Sequence, residues 1–279
     1  MAGAPTRDDV GAPASGPSAP GPRSSWRSVA LPTEHGGWGL TLEPGLLGVL
    51  VAPSWAGVCL GLGAMVAFVA RTPVKFVLVD LSRHRRLPRT RRAALVAVVE
   101  LLLLVALALG AVALAAAPFW WPVLVAAPLV GVELWFDMRS RSRRLAPQLA
   151  GAVGIGAVAA MIVLADGRGA ALAAGVWLVL TARAVSSIPF VRARIAALHG
   201  RPSRPGGLVA ADLAAVALAA LAVGLEPSVA AGAVAVVVVI VYQRATAQRP
   251  VRRVAVLGIH QMLLGFGVVV ITAVGVHLT

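Results

Sequence analysis

Residues 83–122 read RHRRLPRTRR, then AALVAVVELLLLVALALGAVALAA, then APFWWP. Six arginines and a histidine give way to 24 residues (93–116) holding one charge, Glu100, before a Pro-rich turn with two tryptophans. At 1.5 Å per residue that run makes a helix about 36 Å long, enough for a hydrocarbon layer of about 30 Å. A soluble helix keeps one polar face; this one has none, so the stretch reads as a membrane span with a basic end and an aromatic end.

The same ruler of roughly 20 apolar residues divides the rest of the chain. Spans are expected near 37–53, 55–79, 93–116, 120–138, 146–165, 170–190, 207–224, 227–243 and 254–277. The breaks between them are of two kinds. Pro53-Ser54, Pro118 to Pro122, Asp166 to Gly169 and Glu226-Pro227 are short turns with few charges. Arg83 to Arg92, Arg139 to Arg144, Arg192 to Arg204 and Arg244 to Arg253 are basic. The two kinds alternate along the chain, so all basic breaks fall on one side, with Arg23 and Arg27, and Arg168 alone faces the other. Basic loops mark the cytoplasmic side. The expected protein is an all-α, polytopic helical bundle of the cell membrane, N-terminus in the cytoplasm and C-terminus outside. Trp55, Trp120 and Trp121 then stand at the outer interface.

Composition agrees. Of 279 residues 59% are hydrophobic and 13% charged, about half the charged share of a soluble domain. The net charge of +14 is spent on topology, and no nucleic-acid partner is expected. Residues 1–30, rich in Ala, Gly, Pro and Ser, cannot bury enough apolar surface to order themselves and read as a disordered cytoplasmic tail. Residues 31–279 form the membrane domain. The single cysteine, Cys59, excludes a disulfide framework within the chain and a paired-cysteine metal site. HExxH, CxxC, G-x-S-x-G and GxxxxGK[ST] motifs are absent.

Charges inside spans are costly and turn toward other helices or water. They are Glu34, His35 and Glu43 at the first span, Arg71, Lys75 and Asp80 in the second, Glu100 in the third, Glu133 and Asp137 in the fourth, Arg183 in the sixth and His260 in the ninth. Most lie toward the cytoplasmic ends and can converge in one polar layer. Glu34 and His35 serve as metal ligands or proton carriers, or as an interfacial cap with Trp38 as anchor. Arg71 and Lys75 share a helix face at i, i+4. Glu133 and Asp137 do likewise, and two carboxylates on one face call for a cation between them. A salt-bridge cluster and a metal or substrate site are both open. Arg183 with Ser187, again i, i+4, suits an anion, unless the arginine snorkels to the interface. His260 and Gln261 read as a hydrogen-bonded packing pair.

Pro32 to Trp38 (P-x-E-H-G-x-W), Lys75 to Arg92, Glu133 to Gly151 and Arg183 to Arg194 together resemble the YwiC-like family of bacterial integral membrane proteins. A more distant likeness is to UbiA-type prenyltransferases. Nine spans with the N-terminus inside match their layout, and Asp80 to Arg92 falls where those enzymes carry their first aspartate motif and its basic tail. Pro147-Gln148-Leu149 resembles their link between spans four and five. Asp80 is kept from the first motif, while Arg183, Arg192 and Arg194 stand where the second would be.

The resemblance implies a lipid-lined cavity binding an isoprenoid or other anionic, phosphate-bearing amphiphile. Lys75, Arg83, Arg183, Ser187 and Arg192 would hold the head. Glu34, His35, Asp80, Glu133 and Asp137 would form the catalytic set, and Asp80, Glu133 and Asp137 would hold Mg²⁺. The alternatives are a non-catalytic membrane scaffold or assembly factor and a small-anion transporter.

Overall fold

The computed structural model describes residues 35–82, 88–139, 144–201, 205–249 and 254–279. The expected tail 1–30, Glu34 and Arg83 lie outside these residues, as does the side chain of His35.

The described residues form nine α-helices and no strand. In chain order these are α1 (His35–Val51), α2 (Trp55–Ser82), α3 (Pro88–Leu114), α4 (Trp121–Met138), α5 (Leu145–Ala165), α6 (Ala170–Leu198), α7 (Pro205–Leu225), α8 (Ala230–Ala245) and α9 (Val254–Leu278), with a 3₁₀ turn at Pro227–Val229. Eight of them are long and apolar enough to cross a membrane, α8 together with the 3₁₀ turn that precedes it. The described part of α1, which starts at the edge of the described residues, is a shorter apolar helix. The chain is therefore a multi-pass helical bundle, as the alternation of apolar runs required.

Hydrogen bonds show which helix ends lie together. His277 near the end of α9 meets the Leu50 carbonyl near the end of α1 at 2.8 Å, and the Ala116 amide donates to the Ala165 carbonyl across the α3 and α5 ends. At the opposite end Arg192 of α6 reaches Gln148 of α5, Arg194 reaches the carbonyls of Ala247 and Arg249, and Arg244 of α8 pairs with Asp212 of α7. That second end carries the arginine clusters.

Two helices form the centre. Most of α5 and α6 is buried, and in α5 small residues explain how: Gly151, Gly154, Gly156, Ala157, Ala159 and Ala160 let neighbours come close. Ile162 fills the space left by Gly48 of α1 and Gly57 of α2, where added Cβ atoms would fall 2.7 and 2.6 Å from it. By contrast α3 presents Leu95, Val98, Leu101, Leu102, Leu109 and Val112 outward, a face suited to lipid tails.

Two helices with internal prolines run past their expected ends. α2 passes through Pro73 to Ser82, and α6 passes through Pro189 to Leu198. A proline removes one helical hydrogen bond, which a packed membrane helix tolerates. The consequence is positional: Arg183 lies near the middle of a 29-residue helix, not two turns from its end.

Candidate functional site

α2 and α4 run in the same direction, from the arginine-poor end to the arginine-rich one. Each carries two like charges one turn apart, and the two pairs meet. Arg71 Nη1 donates to Glu133 Oε1 at 2.6 Å and Arg71 Nε to Asp137 Oδ2 at 3.3 Å, while Lys75 Nζ donates to Asp137 Oδ1 at 2.7 Å. The backbones of α2 and α4 barely approach each other; α4 rests on α5, and α2 on α1, α3 and α5. Long charged side chains thus bridge a place where helices do not pack. The Glu133 carboxylate lies directly over Gly151 of α5, where any Cβ would collide with it.

Two cations face two carboxylates here, so the cluster is neutral as a whole. Its members differ in access. The Asp137 side chain is almost enclosed, at 8% exposure, while Lys75 keeps 43%. Arg139, just past α4, stacks over the Trp135 ring at 4.0 Å.

Asp80, at the end of α2, is buried and accepts a 2.6 Å hydrogen bond from Thr90 in the first turn of α3. It ties that hairpin together and does not join Glu133 and Asp137. Among the described residues no three His, Cys, Asp or Glu side chains come close enough to hold a metal ion. The residues expected to bind Mg²⁺ are engaged otherwise: Glu133 and Asp137 by Arg71 and Lys75, Asp80 by Thr90.

Arg183 and Ser187 are elsewhere, deep between α1, α6, α8 and α9. The anion beside Arg183 is the protein's own: Glu43 Oε1 of α1, 3.1 Å from Arg183 Nη2. The same Nη2 donates to the Gln261 carbonyl of α9 at 2.6 Å. Gln243 of α8 donates through Nε2 to Ser187 Oγ and to Gln261 Oε1, each at 3.1 Å. His260, expected to pair with Gln261, bonds to Tyr242 of α8 instead, so both residues do pack by hydrogen bonds but to a neighbouring helix. Arg192 holds Gln148 at 2.9 Å at the arginine-rich end. The expected site residues therefore divide among four places.

The family model described as YwiC-like protein matches residues 31–163. Over that stretch the chain is similar to that family. No curated protein and no solved structure matches it. The YwiC-like stretch includes α1 to α4 and nearly all of α5, hence the whole Arg71–Lys75–Glu133–Asp137 cluster, Asp80 and Glu43. Arg183, the buried partner of Glu43, lies beyond it, as do Gln243 and Gln261.

Arg71, Glu43 and Gln243 belong to these networks and were not among the expected site residues. A signal for Arg71 exists within the YwiC-like stretch, since two cations four apart complement two carboxylates four apart on a parallel helix. Glu43 and Gln243 carry no such local signal.

Proposed function

We propose that this membrane protein binds an anionic, phosphate-bearing amphiphile, such as an isoprenoid, at the α2–α4 cluster. The observation that carries the reading is that Arg71 and Lys75 reach across a place where their helices do not pack, with Lys75 the most exposed member. A phosphate offers guanidinium and ammonium donors the same oxygen geometry as the carboxylates they hold now. An incoming head can therefore exchange with Glu133 at Arg71 while its chain lies along the apolar helices. Arg192 and the other arginines of that end supply the surrounding positive field, and the end they mark is the cytoplasmic one in this reading. Transfer or modification of the bound chain is the extension supported by the UbiA-type likeness.

The test is mass spectrometry of lipids co-purifying with the protein in nanodiscs, wild type beside Arg71→Ala and Lys75→Ala. Enrichment of an anionic amphiphile that both substitutions abolish is expected. A lipid profile equal to the bulk membrane in the wild type would overturn the reading. The neutrality of the cluster favours one competitor, a non-catalytic scaffold in which the four charges only join α2 to α4. That role requires no enriched lipid and survives loss of Lys75.

A further inference from the structure

The buried core between α1, α6, α8 and α9 is polar beyond what its own bonds satisfy. Arg183 is 3% exposed and Gln243 1%. Arg183 uses Nη2 for Glu43 and for Gln261, yet its Nε is buried with no hydrogen-bond partner. Gln243 uses Nε2 twice, yet its Oε1 is also buried with none. One is a donor and the other an acceptor. Rotating the Gln243 amide does not remove the difficulty, because it exchanges an unpartnered oxygen for an unpartnered nitrogen.

Leaving such atoms bare is unfavourable, and native proteins meet this need with ordered water held by two to four polar groups. A further acceptor is close along α1. Pro44, next to Glu43, has no N–H, so the Leu40 carbonyl one turn from the ion pair lacks its helical partner. The backbone of α9 closes the core from the other side, since a Cβ on Gly265 would strike both Glu43 Oε1 and Arg183 Nη2.

We propose that ordered water is bound in this core, accepting a hydrogen bond from Arg183 Nε and donating one to Gln243 Oε1. It is an internal site of the bundle, separate from the α2–α4 cluster, and it gives the Glu43–Arg183 pair a polar neighbour inside an apolar interior.

The deciding experiment is cryo-electron microscopy of the wild-type protein in nanodiscs at a resolution that shows internal water. Density at hydrogen-bonding distance from Arg183 Nε and Gln243 Oε1 is expected. Side chains resolved without such density, or both atoms bonded to protein groups instead, would overturn the proposal. Hydroxyl-radical labelling by X-ray radiolysis gives an independent readout, because it marks side chains beside bound water. Met262 serves as reporter, since a Cβ on Gly39 would meet both its Cγ, at 3.2 Å, and Glu43 Oε1, at 3.8 Å. Its labelling is expected to fall several-fold in Gln243→Leu; equal labelling in the two proteins counts against the site.

Discussion

Glu43 of α1 and Arg183 of α6 form an ion pair at 3.1 Å with side chains only 4% and 3% exposed. Two charges taken out of solvent stabilise little as a pair, but either one left alone is severely unfavourable. Arg183 is further fixed by the Gln261 carbonyl, so three helices depend on one guanidinium.

Removing one partner therefore does more harm than removing both. Arg183→Ala and Glu43→Ala are each expected to destabilise the protein by about 3–5 kcal/mol. The double variant Glu43→Leu/Arg183→Met should recover much of that loss. Thermal unfolding in one detergent compares the four proteins; single variants melting with the wild type would contradict the role given to the pair.

Gly265 is the floor of that pair. Gly265→Ala places a methyl where the Glu43 carboxylate and the Arg183 guanidinium lie, and overpacking of this kind costs about 1–3 kcal/mol. Gly258→Ala, on the same helix with nothing near its Cβ, is the control and should melt as the wild type does.

The Thr90–Asp80 bond fastens α2 to α3. Thr90→Val, which keeps the shape and loses the hydroxyl, is expected to destabilise by about 1.5–3 kcal/mol, the range for a hydrogen bond to a charged group. Thr90→Ser should retain most of the stability. Limited proteolysis and thermal melts on both variants would separate the hydroxyl from the methyl.

At the α2–α4 cluster the carboxylates compete with any bound anion. Glu133→Gln together with Asp137→Asn should raise the retention of anionic lipid several-fold, because Arg71 and Lys75 lose their resident counter-charges. Native mass spectrometry of the detergent-solubilised protein reads this directly. Lower retention in the double variant would mean that the carboxylates hold the cations in place for the ligand and do not compete with it.

Orientation has a simple check. In a Cys59→Ala background, a cysteine at Arg168 should react with a membrane-impermeant maleimide on intact cells. One at His199 should react only after permeabilisation. The reverse pattern would place the arginine-rich end outside.

Much of the bundle is legible in the sequence because lipid demands long apolar runs and topology demands grouped arginines. Arg192 and Arg194 mislead, since they read as the start of a basic loop and set the expected end at residue 190; α6 carries both and continues eight residues past that end, which moves Arg183 to mid-helix. Glu133 and Asp137 announce a need for cations through their spacing. That the cations come from α2, and not from the arginines that follow α4, depends on Arg71 and Lys75 reaching across from a helix that α4 does not pack against, which no local pattern states. Glu43 and Arg183 are each visible as anomalies, but their meeting is a property of the packed bundle alone.

The acidic group inside α1 bears on the order in which the protein is made. An apolar helix with a carboxylate in its interior is a poor resident of lipid by itself. Its counter-charge arrives only with α6, and the surface that closes over both only with α9. Of the nine described helices, the earliest in the chain is thus among the last to be completed. Chains stopped before residue 254 are expected to expose Glu43 to quality-control proteases and to turn over faster than the full-length protein.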